Sequence, residues 1–440
     1  MIAETSAVTR HYRLLTLAKV PGRLAVLSHC GVSERGNLSM DAARLRAWWA
    51  HRQGLDGRVA GASPCSVLEE TGWARSVGGA GPYLGLHARC GAGREAIDQA
   101  VANLEIHELP TARGCSYVVP RSAFAVGLRL AQGGSCDADM KVARKLGVTD
   151  AEIDKLCNAV LAALESGPMD PEQLRSATGG AARNLGEEGK KKGMITTLPV
   201  ALGRLQVQGE IRRVPVNGRL DQQRYRYTLW RPNPLANFKT SLDEAYMQLA
   251  RFYFNWTGSA TVAEFAAFAG LGVKAGKAAI EPLELEAVEK GAERLMLPGL
   301  HDELQRFKAP KEPRYVLVSS LDGILLLRRD IRSLVSDEDL KVSVMADKGR
   351  TAVGSLVDLP SLAILDRGRL VGLWEYDPES ESIAWMSFIR PNAELKAAVR
   401  RTEEFVRSDL GDARSFSLDS PKSRAPRIQA LREATGTSTS

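Results

Sequence analysis

The chain has little of what most enzyme classes need. Its six cysteines (Cys30, Cys65, Cys90, Cys115, Cys136 and Cys157) stand far apart with no CxxC, and no histidine pair is spaced to complete a zinc site. Buried small hydrophobes in a reducing compartment is the reading for these thiols, with no metal and no cofactor expected. No run of 18 or more apolar residues occurs, which leaves no candidate transmembrane helix. The N-terminus also lacks the ordered basic, apolar and small-residue regions of a signal peptide, so a cytoplasmic protein is expected. GxSxG, GxxxxGK[ST] and HExxH are all absent, and the GG pairs at 78, 133 and 179 do not follow strands as a dinucleotide loop must.

What is present is an ordinary globular composition, 44% hydrophobic and 25% charged over 440 residues, too long for one core. The net charge is +7. That mild excess matters only where the cations cluster.

The coarse pattern is mainly α with β, an α+β chain of tandem winged helix-turn-helix units followed by a small strand-rich C-terminal domain. Residues 1–39 carry no sustained period and are expected to form a poorly ordered extension. A first unit, 40–135, begins with a helix carrying Leu45, Trp48 and Trp49. A short helix with Ser63 as N-cap and Pro64 in its first turn follows, then helical runs at Pro82–Arg89 and Glu95–Leu104 and a strand over Ala112–Pro120.

A second unit spans 136–236. Thr149 and Glu152 form a capping box ahead of Ile153, Leu156, Cys157, Val160, Leu161 and Leu164 on one stripe, and Asp170 and Pro171 open the next helix. A charged, mobile connection at 187–193 precedes a helix from Thr197 to Gln208. Strands at Ile211–Val216 and Tyr225–Trp230 then make a hairpin with an Asn217-Gly218 turn. The third unit, 237–298, repeats the theme with caps at Ser241/Glu244 and Thr261/Glu264 and a third helix at Val273–Leu285. Strands are expected at Tyr315–Ser319, Ile324–Leu327, Leu362–Leu365, Leu370–Tyr376 and Ile383–Phe388 in a domain covering 299–410, and 411–440 reads as a flexible tail.

Two stretches carry candidate function. The hairpin bears Arg212, Arg213, Arg219, Arg224 and Arg226 against only Glu210 and Asp221, interleaved with Tyr225 and Tyr227, which suits DNA phosphates. A solvated strand face is the plain alternative. If all these arginines met phosphate, log K would fall with log salt at a slope of roughly −4.5. The helix before the hairpin offers no Arg or Asn pair for base edges, so recognition of one base sequence is not expected. The other stretch is the glycine-dense, nearly charge-free loop GWARSVGGAGPYLGL, Gly72–Leu86.

Several blocks in order resemble the AlkZ and YcaQ family of DNA glycosylases: ARLRAWWAHRQGL at 43–55, PYLGLHAR at 82–89, ARGCSYVVP at 112–120, GSATVAEFAAFAGL at 258–271, LPGLHDEL at 297–304, LDGILLLRR at 321–329 and ILDRGRLVGLWE at 364–375. The resemblance covers about residues 40–410. It implies metal-independent removal of alkylated or crosslinked bases from DNA by cleaving the N-glycosidic bond; the expected partner is double-stranded DNA, the expected state a monomer, and the nucleoid its expected place through DNA binding. The family's chemistry rests on Gln-x-Gln or Gln-x-acid just before the block at Pro82–Arg89. In this sequence that position falls on Arg75, Ser76 and Val77. Cleavage builds positive charge on the sugar, and an arginine about 4 Å away would oppose it by roughly 4 kcal/mol at an effective dielectric of about 20, or about three decades in rate.

Two repairs of this departure suggest themselves. Glu69 and Glu70 would turn a carboxylate into the site while Arg75 faces a phosphate, or the substrate is a cationic N7-alkylpurine that needs little beyond positioning. Tyr117 or Trp73 would stack on an extruded base. A glycosylase, or a DNA-binding regulator or lesion sensor that keeps the scaffold and loses the reaction, are the two functions this sequence supports.

Overall fold

The computed structural model describes residues 41–133 and 135–437. The expected extension at 1–39 and Cys30 lie outside the described residues, as does the side chain of Cys136. Of the thiols, Cys90 and Cys157 are buried and Cys65 and Cys115 half-buried, and none of the four is in a disulfide.

Helix α1 (Ala42–Arg52) starts at Asp41, whose side chain accepts from the Ala43 amide, and α2 (Pro64–Thr71) is capped by Ser63. Next come β1 (Ala74–Arg75), α3 (Gly81–Cys90), α4 (Arg94–Ala102), β2 (Ile106–Pro110) and β3 (Ser116–Pro120). The three strands form one antiparallel sheet in the order β1-β3-β2. The strand expected over Ala112–Pro120 is therefore shorter: Ala112–Gly114 is a single 3-10 turn, Arg113 lying in the left-handed region at φ 60°.

After α5 (Phe124–Gln132) and α6 (Ser135–Lys145) come α7 (Asp150–Leu164), α8 (Pro171–Thr178), α9 (Gly186–Lys191) and α10 (Leu198–Val207). The capping box on α7 is present as read, and α8 has one as well. Helix α9 replaces the mobile connection expected at 187–193, with Lys190–Glu187 and Lys191–Glu188 pairs one turn apart at 3.7 and 3.4 Å. Strands β4 (Ile211–Pro215) and β5 (Tyr225–Leu229) pair antiparallel, and Asn217 and Gly218 lie within a longer loop at 216–224. Helices α11 (Leu242–Thr257), α12 (Val262–Ala269) and α13 (Val273–Ile280) are followed by the hairpin of β6 (Glu286–Ala287) and β7 (Leu295–Met296). Thus α7, α8 and α10 with β4–β5, and α11 to α13 with β6–β7, share an order of elements.

The rest comprises α14 (Pro298–Arg306), β8 (Tyr315–Val318), α15 (Gly323–Leu326), α16 (Ile331–Leu334), β9 (Ser343–Ala346), β10 (Gly349–Ala352), β11 (Leu362–Asp366), β12 (Arg369–Asp377), β13 (Ser382–Ser387), α17 (Ala393–Phe405) and α18 (Pro421–Thr437). Four of the strands make an antiparallel sheet in the order β13-β12-β11-β8. Ile324–Leu327, expected as a strand, is helical because the Asp322 carboxylate caps it by accepting from the Ile324 amide at 3.1 Å. A bare apolar run has no period to choose between helix and strand.

The tail expected at 411–440 also differs. Ile428 and Leu431 of α18 are buried, and its arginines reach Asp412, Glu375 and Asp377.

Four hydrophobic clusters organise the described residues. Val67, Leu68, Tyr83, Leu84 and Ile97 from α2–α4 pack against Leu317, Ile364, Trp374, Leu395 and Phe405 of the C-terminal part. Trp48 and Trp49 join Leu300, Ile324, Leu370 and Leu431. Trp73, Val119 and Leu128 pack with Tyr253, Trp256 and Phe265. The buried members of the fourth cluster run only from Met140 to Ile211.

The glycine-rich loop and the basic hairpin

The loop after α2 begins at Gly72, φ 113°, a conformation natural only to glycine. It passes through β1, where Arg75 is in register with Tyr117 of β3, and enters α3. The Ser76 amide extends the pairing by donating to the Ser116 carbonyl at 3.1 Å.

Both polar side chains at the motif position already have partners. The Arg75 Nη1 donates to the Ser116 carbonyl at 2.7 Å, and its guanidinium carbon lies 5.3 Å from the Tyr117 ring centre. Ser76 is 2% exposed and its hydroxyl donates to Glu108 Oε2 at 2.8 Å. The Glu108 carboxylate also accepts from Tyr225 Oη at 3.1 Å and from Arg213 Nη2 at 2.5 Å, with the Arg213 guanidinium 4.6 Å from the Tyr225 ring centre. A buried glutamate on β2 therefore ties the loop to the hairpin.

Beyond Ser76 the loop is covered. The Ala80 amide donates to the Arg414 carbonyl at 2.9 Å and the Ser417 amide to the Val77 carbonyl at 3.3 Å. A Cβ on Gly79 would meet the Ser415 carbonyl oxygen at 2.3 Å, and one on Gly78 would meet Gln223 Cγ at the same distance. Gly79 is needed for close approach between backbones, and Gly78, at φ 73°, for a left-handed turn against the Gln223 and Ser417 side chains.

Glu69 and Glu70 are exposed at the end of α2. Glu69 accepts from Ser122 Oγ at 2.6 Å, and Glu70 pairs with Arg58 at 2.7 Å and accepts from Ser66. Neither bonds to Arg75, Ser76 or Tyr117. Trp73 is 5% exposed within a cluster with Tyr117, Phe252 and Trp256.

The hairpin arginines divide. Pairing of Arg213 with Tyr227 puts both on one face, while Arg212, opposite Thr228, and Arg226, opposite Val214, share the other. Arg219 donates to Asp221 Oδ1 at 2.9 Å and to the Leu410 carbonyl at 2.8 Å, and the Asp221 carboxylate raises its pKa. Arg213 and Arg219 thus have internal counter-charges. Arg224 and Arg226 are exposed and without an ion-pair partner among the described residues; Arg212 is half-buried, and burial lowers its pKa.

Sequence reasoning missed the polar floor beneath the loop. A cavity of about 20 Å³, room for one water, is lined by Gln53, Thr71, Trp73, Arg75, Arg89 and Asp322 among others. Arg89 holds Asp322 through two bonds of 2.7 and 2.8 Å, and Gln53 Nε2 donates to the Thr71 and Trp256 carbonyls at 2.7 and 2.8 Å. Arg89 and Asp322 stand inside two quoted blocks, and a charge placed among apolar neighbours was the available signal. Among the described residues no group of His, Cys, Asp and Glu is arranged to hold a metal, and no helix is long and apolar enough to cross a membrane.

The scaffold is α+β, with a glycine-rich loop tied to a basic hairpin. A model of the DNA glycosylase AlkZ-like family matches residues 76–401, well over half of the chain, and the protein belongs to that family. Among solved structures its fold is similar to that of Streptomyces sahachiroi DNA glycosylase AlkZ, with a TM-score of 0.60 and 18% identity over 84% of this chain and 97% of that one. No curated protein matches the chain in sequence.

Proposed function

We propose that the protein binds duplex DNA carrying alkylated bases as a lesion-recognition member of its family, without the family's excision step at the 75–77 loop. One observation carries this reading: the motif position presents a guanidinium fixed on Tyr117, a buried hydroxyl bonded to Glu108, and a valine. None of these is a carboxamide or carboxylate that stabilises positive charge on a sugar, and a guanidinium opposes it. The two element sets ending in β4–β5 and β6–β7 are read as winged helices, with Arg212, Arg224 and Arg226 on phosphates.

The test pairs salt-dependent binding with product analysis. With those three cations on phosphate, the hairpin contributes a slope of about −2.7 in log K against log salt, shallower than five would give. Fluorescence anisotropy on duplexes with and without N7-methylguanine should give a slope at least this steep and tighter binding to the damaged duplex, and chromatography should find no released base. A total slope shallower than about −1 would sink DNA binding altogether.

Release of N7-methylguanine would favour the second reading, a glycosylase for cationic purines. Glu108 is the observation behind that alternative, a carboxylate one hydrogen bond behind Ser76. Release would then fall sharply in Glu108→Gln and not in Glu69→Gln, Glu70→Gln.

A further inference from the structure

Three arginines stand on separate segments that pack at one aromatic stack beside the loop. Arg75 comes from β1 and lies over Tyr117. Arg113 comes from the turn before β3; it is exposed, and its Nη1 donates to the Ala267 carbonyl at 2.9 Å. Its Cγ would sit 2.3 Å from a Cβ at Gly270, so it is packed on the end of α12, whose Phe268 ring centre is 6.2 Å from that of Tyr117. Arg329 follows α15. Tyr253, stacked on Phe268 at 5.2 Å, donates to the Leu327 carbonyl two residues before Arg329, which brings the third segment to the same stack.

Two features set these arginines apart from surface charge. Arg113 and Arg329 both hold left-handed backbone, φ 60° and 53°, a conformation kept in a non-glycine residue only where the surroundings enforce it. The Tyr117 hydroxyl makes no hydrogen bond within the described residues, and Arg329 Nε is buried without an acceptor. Arg329 Nη2 does bond Asp358 at 2.7 Å, but Asp358 is 52% exposed, so the pair is weak and exchangeable. Burial raises the phenol to about 12 while the positive charges of all three arginines act to lower it. Tyr117 therefore remains an O–H donor at neutral pH.

Guanidinium forks and a phenol O–H are the donors that a tetrahedral oxyanion takes, and the charges of all three arginines act on Tyr117. We infer that Arg75, Arg113, Arg329 and Tyr117 form a binding site for one backbone phosphate of DNA, distinct from the hairpin. The arginine at the motif position would then be a phosphate clamp. This site rests on the DNA-binding reading, and it adds the second point of contact that fixes a duplex in one orientation.

The test compares salt slopes for duplex DNA in the wild type, an Arg113→Gln, Arg329→Gln variant, and an Arg224→Gln, Arg226→Gln variant. The Arg113→Gln, Arg329→Gln variant should lose up to about 0.9 from the magnitude of the slope, one phosphate, and the Arg224→Gln, Arg226→Gln variant about 1.8, two phosphates. Because Arg113 also bonds the end of α12, an Arg113→Lys, Arg329→Lys variant is the control: it keeps the charges and should keep the wild-type slope, whereas a merely structural role would make Lys and Gln variants alike. A normal slope in the Arg113→Gln, Arg329→Gln variant, with loss only in the hairpin variant, overturns the site and leaves DNA binding intact. A wild-type slope shallower than about −1 removes both. Titration with inorganic phosphate, followed by tryptophan fluorescence, distinguishes the source. Saturable binding lost in the Gln variant, with its DNA slope unchanged, would assign the site to free phosphate and overturn the DNA form.

Discussion

His107 and Glu108 are neighbours on β2 and point to opposite faces. Glu108 is saturated by Ser76, Tyr225 and Arg213, while His107 is 2% exposed, edge-on to Trp230 and Phe124, with neither ring nitrogen bonded. Burial first, and then the charges of Arg212 and Arg213, push the imidazole pKa down to about 3. An unfolded histidine titrates near 6.5. On acidification the unfolded chain takes the proton first, so this contribution to stability is full above pH 6.5 and is lost as pH falls from 6.5 toward 3. The loss is about 2 kcal/mol between pH 7 and pH 5. Urea unfolding of wild type and His107→Leu at both pH values checks it: the fall in stability should be smaller in the variant by that amount, and an equal fall in both would clear His107. Neither residue stood out in the sequence, because the short strand IHELP falls between the helix read to Leu104 and the strand read from Ala112 and belongs to neither. Glu69 and Glu70 drew attention as adjacent carboxylates near the loop, yet adjacency along a helix end gave them partners on the outer surface.

Helix starts were readable because a cap is a local device. Thr149 with Glu152, Ser241 with Glu244 and Thr261 with Glu264 form reciprocal capping boxes where spacing alone placed them. Helix α18 was not readable, since it contains Pro426 and is held by ion pairs to distant strands. Arg427 donates to Glu375 at 2.8 Å, and Glu375 is 1% exposed, its pKa raised by burial against the pull of Arg427. Removing one partner of a buried pair costs more than removing both, because a charge is left without compensation. Arg427→Ala should therefore destabilise by about 3–5 kcal/mol, and adding Glu375→Leu to Arg427→Met should recover most of it. Denaturant unfolding reads both, and additive losses in the double variant would contradict a coupled pair.

At the scale of the molecule, the order of blocks along the chain pointed to the family, but not to which parts share a core. Arg89 and Asp322 are 233 residues apart, and no periodicity links segments at that distance. Their bidentate pair, 7% and 3% exposed, sits beside the cluster joining α2–α4 to the C-terminal sheet. Residues 59–101 and 315–413 are thereby committed to unfold together, whereas the buried members of the Met140–Ile211 cluster come from that stretch alone. Cooperative units of this kind differ in opening free energy. Arg89→Ala strands the Asp322 carboxylate and should cost about 3–5 kcal/mol. Native-state hydrogen exchange should show that loss equally in amides of α3 and of β11, with protection in α7 and α10 unchanged. Faster exchange confined to α3 would mean that the two ends of the chain open independently, and an equal loss in α7 would mean that the hairpin unit shares the same cooperative core.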